Sequence, residues 1–299
     1  MEDKKFKSGF VAIVGKPNVG KSTLLNSLIG QKISITGPKA QTTRNKIMGI
    51  KTTDNYQIVY LDTPGAIKPK SKLDEFMKKS IESAMDGIDA LVVTLDVSKI
   101  TEKDLQLLDS YKHIKAPIVV VLNKCDQSAY EKAYPMLAKL NELKYVKEFV
   151  SVSALTGKNV DELEKVLCKY LPEGEPLFDR DQVTDRTERF LAAEIIREKA
   201  LLNLREEIPH GLAIEVVEFK EGKRLVQINA EIVTAKDNHK QIIIGKNGEM
   251  LKKIGIQSRE DIEKMLGKRV NLQLFVKVRA GWQDNNLSLR EFGYDKKDI

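Results

Sequence analysis

The chain has 299 residues, 41% of them hydrophobic, and its 50 lysines and arginines outnumber its 43 aspartates and glutamates to give a net charge of +7. At about 150 residues per domain this length predicts two domains, and the small basic excess permits an acidic partner such as nucleic acid without requiring one. A charged N-terminus and apolar runs far shorter than the roughly 20 residues of a membrane helix argue against a signal peptide and a membrane span, so we expect a cytoplasmic protein with reduced cysteines.

The first 170 residues alternate between apolar, β-branched runs and helical patterns. We predict strands at 10–14, 46–51, 57–61, 88–95, 117–122 and 148–152, and helices at 21–29, 71–85, 102–111, 129–143 and 160–170. A short polar turn at 52–55 joins the strand at 46–51 to the strand that follows it. We expect these two strands to pair antiparallel at the edge of the sheet. The other strands, separated by helices, imply parallel pairing with both faces covered. The sequence therefore predicts an α/β domain with a mostly parallel six-stranded sheet.

The loop after the first strand has the composition of a phosphate-binding loop, with the string GKPNVGKS at residues 15–22. Gly15 and Gly20 allow a backbone path that turns several N–H groups inward on one anion. Lys21 opens the next helix, whose N-terminus favours phosphate, and we expect its ammonium to bridge the β- and γ-phosphates while Ser22 binds magnesium. The residues predicted to bind nucleotide here are Gly15, Asn18, Val19, Gly20, Lys21, Ser22 and Thr23.

Two later segments are suited to complete a magnesium and γ-phosphate site. Asp62 ends a buried strand and begins the string DTPG, so we expect its carboxylate to hold the magnesium through water. The N–H of Gly65 can approach the γ-phosphate because no side chain intervenes. In the polar segment 37–45 a threonine can complete the magnesium shell, and we favour Thr43 over Thr42, although both could simply cap a turn. The catalytic candidates are Lys21, Thr43 and Gly65, and the metal ligands are Ser22, Thr43 and Asp62.

A third string, NKCD, follows a predicted strand and so lies at the carboxyl edge of the sheet, where open α/β folds bind ligands. Asp126 offers two acceptor oxygens to two adjacent donors of guanine, which adenine lacks. We expect the stem of Lys124 to cover the base plane and Asn123 to tie this loop to the phosphate loop. A backbone N–H of Ser153, Ala154 or Leu155, after the next strand, can meet the guanine oxygen. The string predicts GTP rather than ATP.

The residue that orients the attacking water in small regulatory GTPases, a glutamine after the second string, is missing. Ala66 and Ile67 occupy that place, and neither side chain can polarise water. Intrinsic hydrolysis should therefore be slow or use another device. Asn18 is a candidate to seat a potassium ion that replaces the charge of an arginine finger. The alternative is that Asn18 only shapes the loop.

A second domain follows a boundary rich in proline and glycine. The string LPEGEP begins a predicted linker at 171–184, which separates a GTP-binding domain at 1–170 from a domain at 185–299. The second domain reads as a helix at 185–204, strands at 212–219 and 225–233, two helices joined by the string GKNG, and a strand at 270–278. This order predicts an α+β KH domain of type II.

The string GKNG matches the loop with which KH domains clamp the backbone of about four nucleotides. Residues 236–279 contain 11 lysines and arginines against 5 acidic residues, so the charge excess is concentrated around this loop. We expect Trp282 and Tyr294 to pack in the core or a hinge rather than stack on a base. The residues predicted to bind RNA are Ile244, Gly245, Lys246, Asn247, Gly248 and Lys252.

The combination resembles the Era family of bacterial GTPases over nearly the whole chain. The stretches that carry the likeness are 15–22, 41–44, 62–65, 123–126, 171–176 and 242–248. The resemblance implies a GTP hydrolase that binds the 3′ end of small-subunit (16S) ribosomal RNA during maturation of the 30S subunit. It also implies loose association with the inner membrane surface. We expect GTP, GDP and Mg²⁺ as ligands, and a monomer.

The favoured interpretation is a GTP-dependent RNA-binding switch, in which bound GTP orders two segments and these reorient the KH domain. A purely RNA-binding factor with a vestigial nucleotide site is disfavoured because Lys21, Ser22, Asp62 and Asp126 are all present. A membrane or division GTPase is disfavoured by the GKNG loop. An enzyme of tRNA modification shares the nucleotide strings, but the chain shows no catalytic cysteine and no folate domain.

Overall fold

The structure is a computed structural model that describes residues 5–37, 39, 41–66, 69–127, 130–205 and 208–295. Within these residues the chain forms two packed units that follow each other in sequence, an α/β domain and an α+β domain. Among the described residues, every helix is too short or too polar to pass through a lipid bilayer.

The first domain is a six-stranded sheet with the strand order β2-β3-β1-β4-β5-β6. Its strands are β1 (Lys7–Val14), β2 (Ile47–Thr52), β3 (Tyr56–Asp62), β4 (Ala90–Asp96), β5 (Ile118–Asn123) and β6 (Val146–Ser151). Its helices are α1 (Lys21–Ile29), α2 (Lys72–Ser83), α3 (Glu102–Ser110), α4 (Tyr130–Asn141) and α5 (Val160–Cys168). Only β2 among these strands pairs antiparallel, with β3, and the other pairings are parallel. The predicted mostly parallel sheet is confirmed.

Apolar side chains on both faces explain this layering. All seven residues of β4 are buried, which a central parallel strand requires when helices cover both of its faces. Leu24 and Leu28 of α1 pack on one face, and Leu108 of α3 packs on the other. Because β1, β3, β5 and β6 are parallel, the loops that follow them meet at one edge of the sheet, where three of the predicted strings lie.

The second domain has the predicted order of elements, which are α6 (Glu188–Asn203), β7 (Leu212–Glu221), β8 (Leu225–Thr234), α7 (Asp237–Ile244), α8 (Glu249–Leu266) and β9 (Arg269–Val278). In its sheet, β8 pairs antiparallel with β7 and parallel with β9. The predicted α+β KH fold is confirmed. The helix α9 (Asn286–Glu291) was not predicted, because a helix of 6 residues is too short to produce a clear periodic pattern.

The C-terminal segment that carries α9 packs against the first domain. Trp282 is fully buried, and Tyr294 stacks beside it at a ring-centroid distance of 6.3 Å. Phe76 of α2 meets the ring of Tyr294 edge-on at 5.8 Å. These aromatic side chains therefore form a cluster between the two domains, in agreement with the expectation of core or hinge packing.

The segment predicted to be a linker, 171–184, runs along the first domain. The Ser8 N–H donates to the Pro172 carbonyl at 3.1 Å, and the Ile50 N–H donates to the Val183 carbonyl at 2.8 Å. The side chain of Gln57, which is fully buried, donates to the carbonyl of Phe178 and accepts from the N–H of Leu177. This segment is thus hydrogen-bonded to all three strands β1, β3 and β2.

Candidate nucleotide and nucleic-acid sites

The phosphate loop connects β1 to α1 in the position that the sequence predicts. Gly20 has φ +98°, and a Cβ atom there would lie 2.3 Å from the amide nitrogen of Asn123, so only glycine fits. The Lys21 ammonium is folded back onto the loop, where it donates to the carbonyls of Gly15 at 3.2 Å and Lys16 at 3.0 Å. The backbone carbonyls of the loop therefore surround the Lys21 ammonium.

Burial lowers the pKa of Lys21 to about 8, against the opposing attraction of the Asp62 carboxylate. A phosphate in the loop would add negative charge beside this ammonium and favour its charged form. Lys21 is therefore suited to bind an anion, because a bound anion would stabilise the charged ammonium in place of the water that burial removes.

Ser22, Thr43 and Asp62, the three predicted metal ligands, meet at one point. The hydroxyl of Ser22 donates to Asp62 Oδ2 at 2.7 Å, and it lies 2.7 Å from the hydroxyl of Thr43. Ser34 donates a further hydrogen bond to the same carboxylate oxygen at 3.0 Å. By contrast, Thr42 donates to the Lys39 carbonyl at 2.6 Å and caps a local turn. The geometry thus separates the two threonines in favour of Thr43.

This cluster has the chemistry that Mg²⁺ prefers, two hydroxyls and a carboxylate. Asp62 is fully buried, and its Oδ1 atom has no hydrogen-bond partner among the described residues. Burial raises the pKa of Asp62, while Lys21 and the hydroxyls of Ser22 and Ser34 oppose the rise. A cation, or water bound to one, would satisfy the unpaired oxygen and favour the ionised carboxylate. The residues therefore fit a magnesium ion.

The end of the DTPG string lies against the phosphate loop. The N–H of Ala66 donates to the Gly15 carbonyl at 3.3 Å, and Gly65 passes so close to Pro17 that a Cβ atom would lie 2.8 Å from its nitrogen. One cavity is lined by the predicted residues Asn18, Gly20, Lys21, Ser22, Thr23, Thr43 and Gly65. Ile67, the second residue at the place of the missing glutamine, lies outside the described residues.

The NKCD loop is tied to the phosphate loop as the sequence predicts. Asn123 donates to the Val19 carbonyl at 2.8 Å, and the Lys124 ammonium donates to the Asn18 carbonyl at 2.9 Å. Lys124 also forms an ion pair of 2.6 Å with Asp96. Burial works against charge on Asp96, but the hydrogen bonds from Lys124 and Ser98 outweigh it and lower the pKa of Asp96. The Lys124 stem is therefore held at a fixed place beside the phosphate loop.

Asp126 is exposed, and its carboxylate makes no hydrogen bond or ion pair within the described part of the chain. In the neighbouring stretch 153–155, two of the three N–H groups already have partners within the protein. The Ala154 N–H already donates to Asn123 Oδ1 at 2.9 Å, and the Ser153 N–H donates to the Lys158 carbonyl at 3.1 Å. The first of these bonds joins the stretch to the NKCD loop, the second closes a turn within its own loop, and the N–H of Leu155 stays the predicted donor to the guanine oxygen.

Two residues that support the site, Asp96 and Ser34, were not predicted from the sequence. Asp96 ends β4 directly beside Asn123 in the register of the sheet, so its place at a strand end was a usable signal. Ser34 is a buried serine in an irregular loop, and no pattern in the sequence distinguishes it. Its hydrogen bond to Asp62 depends on how the loop after α1 folds back over the sheet edge.

The GKNG loop lies between α7 and α8. Gly245 has φ +75°, and a Cβ atom there would lie 2.7 Å from that of Met250, so the turn requires glycine. Lys246 and Asn247 are exposed, and Ile244 is half-buried at the end of α7. Two of the predicted residues, Gly248 and Lys252, line a groove between α8 and β9. The other residues that line it, all missed by the sequence reading, are Leu251, Gly255, Ile256, Arg259, Leu272 and Leu274.

The chain is similar to two families. Residues 10–124 match the family described as 50S ribosome-binding GTPase, and residues 207–283 match the KH domain family. GTPase Era of Clostridium botulinum (strain Kyoto / Type A2) is 47% identical over 293 residues, covering 97% of this chain and 99% of that protein. GTPase Era of Lactobacillus helveticus is 45% identical over 302 residues, with both chains fully covered.

Two solved structures share the whole architecture. One is Era in complex with MgGDPNP and nucleotides 1506–1542 of 16S ribosomal RNA, 42% identical with a TM-score of 0.91, covering 97% of this chain and 99% of that one. The other is a point variant of Aquifex aeolicus Era bound to GDP·AlF4⁻, 41% identical with the same TM-score and coverage. On this similarity over nearly the full length, and with the nucleotide site described above, the chain belongs to the Era family of GTPases and is a GTP hydrolase.

Proposed function

We propose that this GTPase uses GTP to control its binding to the 3′ end of 16S ribosomal RNA during maturation of the 30S subunit. The observation that supports this most is the presence of two sites in one chain: the cluster of Ser22, Thr43 and Asp62, and the groove beside the GKNG loop. A GTP-dependent change at the first site can reach the second because the domains are packed together. The 16S segment is the one bound by the Era structure described above.

In the nucleotide site, we assign the phosphates to the backbone of the loop that includes Gly15, Val19 and Gly20 and to the Lys21 ammonium. Ser22 and Thr43 would bind Mg²⁺ directly, and Asp62 would hold it through water. The ion supplies charge that stabilises the transferring phosphoryl group. Asp126 would accept from guanine, which explains why its carboxylate is left without a partner in the described part of the protein.

In the second domain, we assign the RNA backbone to the GKNG loop and the bases to the groove. Lys246 and Lys252 are exposed at the loop end of α8, where they can meet phosphates. Gly255 supports this assignment, because a Cβ atom there would make only an ordinary contact of 3.6 Å with Leu274. The fold itself leaves room for a side chain at Gly255, and the free space is then available to a base.

Other features of the proposal rest on the likeness to the family. These are location in the cytoplasm with peripheral attachment to the membrane surface, a role on the 30S subunit, and a monomeric state. The boundaries of the nucleotide domain, linker and KH domain at 1–170, 171–184 and 185–299 remain predictions as well.

We further propose that a potassium ion next to the phosphates assists hydrolysis, with Asn18 among its ligands. The absence of a water-orienting glutamine at Ala66 supports the proposal, and Asn18 lines the same cavity as Lys21. A cation there would stabilise charge that develops on the phosphates in the transition state. GTP hydrolysis should be about tenfold faster in potassium than in sodium at equal ionic strength. Equal rates in the two salts would remove potassium from the mechanism.

The test of the main proposal is the affinity for an RNA of 16S nucleotides 1506–1542 with a GTP analogue, with GDP and without nucleotide. We expect the GTP analogue to change the affinity by about 1–3 kcal/mol relative to GDP, which is roughly 5- to 150-fold. A scrambled RNA of equal length is the control for charge alone. Equal affinities in all three states would show that RNA binding is not controlled by GTP.

A further inference from the structure

The loop that carries Thr43 is held by the second domain on both sides of that residue. On its N-terminal side, Arg197 of α6 donates to the backbone carbonyls of Gln41 at 3.4 Å and of Thr42. Arg197 is only 1% exposed, and Glu194 fixes its guanidinium through hydrogen bonds of 2.8 and 2.6 Å. This arginine therefore presents a preset pair of donors to two consecutive carbonyls of the loop.

The next residue of α6 adds a contact of opposite charge. Glu198 is 2% exposed, and its Oε1 accepts a hydrogen bond of 2.9 Å from the N–H of Thr36. Its other oxygen pairs with Lys32 and, at 3.4 Å, with Lys199. Adjacent residues on one helix thus bind a carbonyl pair and an N–H of the same loop.

On the C-terminal side of Thr43, the loop sends Arg44 into the second domain. Arg44 is 1% exposed and donates to the Leu212 carbonyl at 2.5 Å and to the hydroxyl of Tyr294 at 3.2 Å. Its guanidinium lies 5.9 Å from the ring centre of Trp282 and 6.0 Å from that of Tyr294. The loop is therefore fixed immediately before and immediately after the threonine.

These contacts differ from ordinary packing between domains. A buried charge is stabilised only while its partners stay in place, and here the partners of Arg197 and Glu198 include backbone groups of the loop itself. If the loop moved away, both side chains would lose hydrogen bonds in a dry environment. The arrangement thus favours the one loop position in which the Thr43 hydroxyl lies 2.7 Å from that of Ser22.

We infer that Arg197 is a positioning residue for GTP hydrolysis: the second domain, through Arg197, holds Thr43 where it can bind magnesium. The hydrogen bond that Glu198 accepts from Thr36, and those that Arg44 donates to Leu212 and Tyr294, support the same position of the loop. The inference rests on the proposed role of Thr43 as a magnesium ligand. It implies that the KH domain acts on the reaction as well as on RNA, and that its first helix is part of the switch.

The test is a double-mutant cycle in the full-length protein with Arg197→Gln and Thr43→Ala. Arg197→Gln should lower kcat about tenfold and raise the magnesium concentration needed for half-maximal rate, because Thr43 is less often in place. Affinity for GDP should change by less than about twofold. If Arg197 acts through Thr43, it should have no further effect on kcat, or on the preference for a GTP analogue over GDP, once Thr43 is alanine.

The matched control is Arg189→Gln on the same helix, since Arg189 donates to the Val216 carbonyl inside its own domain. It should leave kcat and the magnesium requirement unchanged. Should Arg197→Gln fail to fold, Arg197→Lys keeps the charge but loses the planar pair of donors, and the same cycle applies.

The two proposals fail in different ways. Normal hydrolysis by Thr43→Ala would remove Thr43 from the magnesium site, and the inference about Arg197 would fall with it. Impaired Thr43→Ala together with a wild-type rate in folded Arg197→Gln would overturn the inference alone. Independent, multiplicative losses of kcat in the double mutant would also overturn it, because they would show that Arg197 does not act through Thr43.

Discussion

Asp126→Asn is expected to lower GTP affinity by about 3 kcal/mol, roughly 150-fold, and to raise affinity for xanthosine triphosphate. The carboxylate is an acceptor at both oxygens, whereas the amide turns one of them into a donor that faces a donor of guanine. Xanthine carries a carbonyl where guanine has its amino group, so the amide finds a partner there. Competition binding with GTP, ATP and xanthosine triphosphate measures the change.

The structure predicts that this exchange leaves the fold unaffected. Asp126 is exposed and makes no hydrogen bond or ion pair with the described residues, so the substitution removes no such contact from the folded protein. Asp86→Asn is the matched control, because Asp86 is also exposed and lies before β4, at the opposite edge of the sheet. Unchanged GTP affinity, or a loss without any gain for xanthine, would mean that Asp126 does not read the base.

The elements and the nucleotide strings could be predicted because their causes are local. A strand covered on both faces needs a continuous apolar run, and a loop that turns its N–H groups on an anion needs glycine at fixed spacing. The sequence favours Thr43 over Thr42 as the metal ligand but leaves the turn-capping alternative open for both, since both are threonines in a polar loop. The choice between them depends on where the Lys39 carbonyl and the Ser22 hydroxyl come to lie in space.

The contacts between domains could not be predicted for a related reason. Arg44 and Arg197 resemble any surface arginine in the sequence, and each is buried only because the partner domain covers it. Likewise, nothing in the sequence indicates that the Ala154 N–H donates to the side chain of Asn123. The local sequence predicts the strings that form this site, whereas the partners of its buried polar groups depend on tertiary packing.

Gly248→Asp is expected to weaken binding to the RNA of 16S nucleotides 1506–1542 by about 2–3 kcal/mol, roughly 30- to 150-fold, and to leave nucleotide affinity intact. The new carboxylate would lie at the end of the groove, where it repels phosphates and blocks their approach to the loop backbone. The dependence of affinity on salt should also become weaker, because fewer phosphates are neutralised. Fluorescence anisotropy with labelled RNA at several salt concentrations measures both effects.

The loss can be assigned to RNA because the backbone at Gly248 accepts aspartate. Its φ is +79°, a left-handed conformation that aspartate adopts more readily than most residues, and a Cβ atom there meets nothing within 4 Å. The residue caps the N-terminus of α8, where a carboxylate is favourable to the helix dipole. Gly293→Asp, at φ +78° and equally open, is the matched control for strain. If Gly248→Asp and Gly293→Asp both bound RNA as tightly as the unmodified protein, the GKNG loop would have no part in the RNA interface.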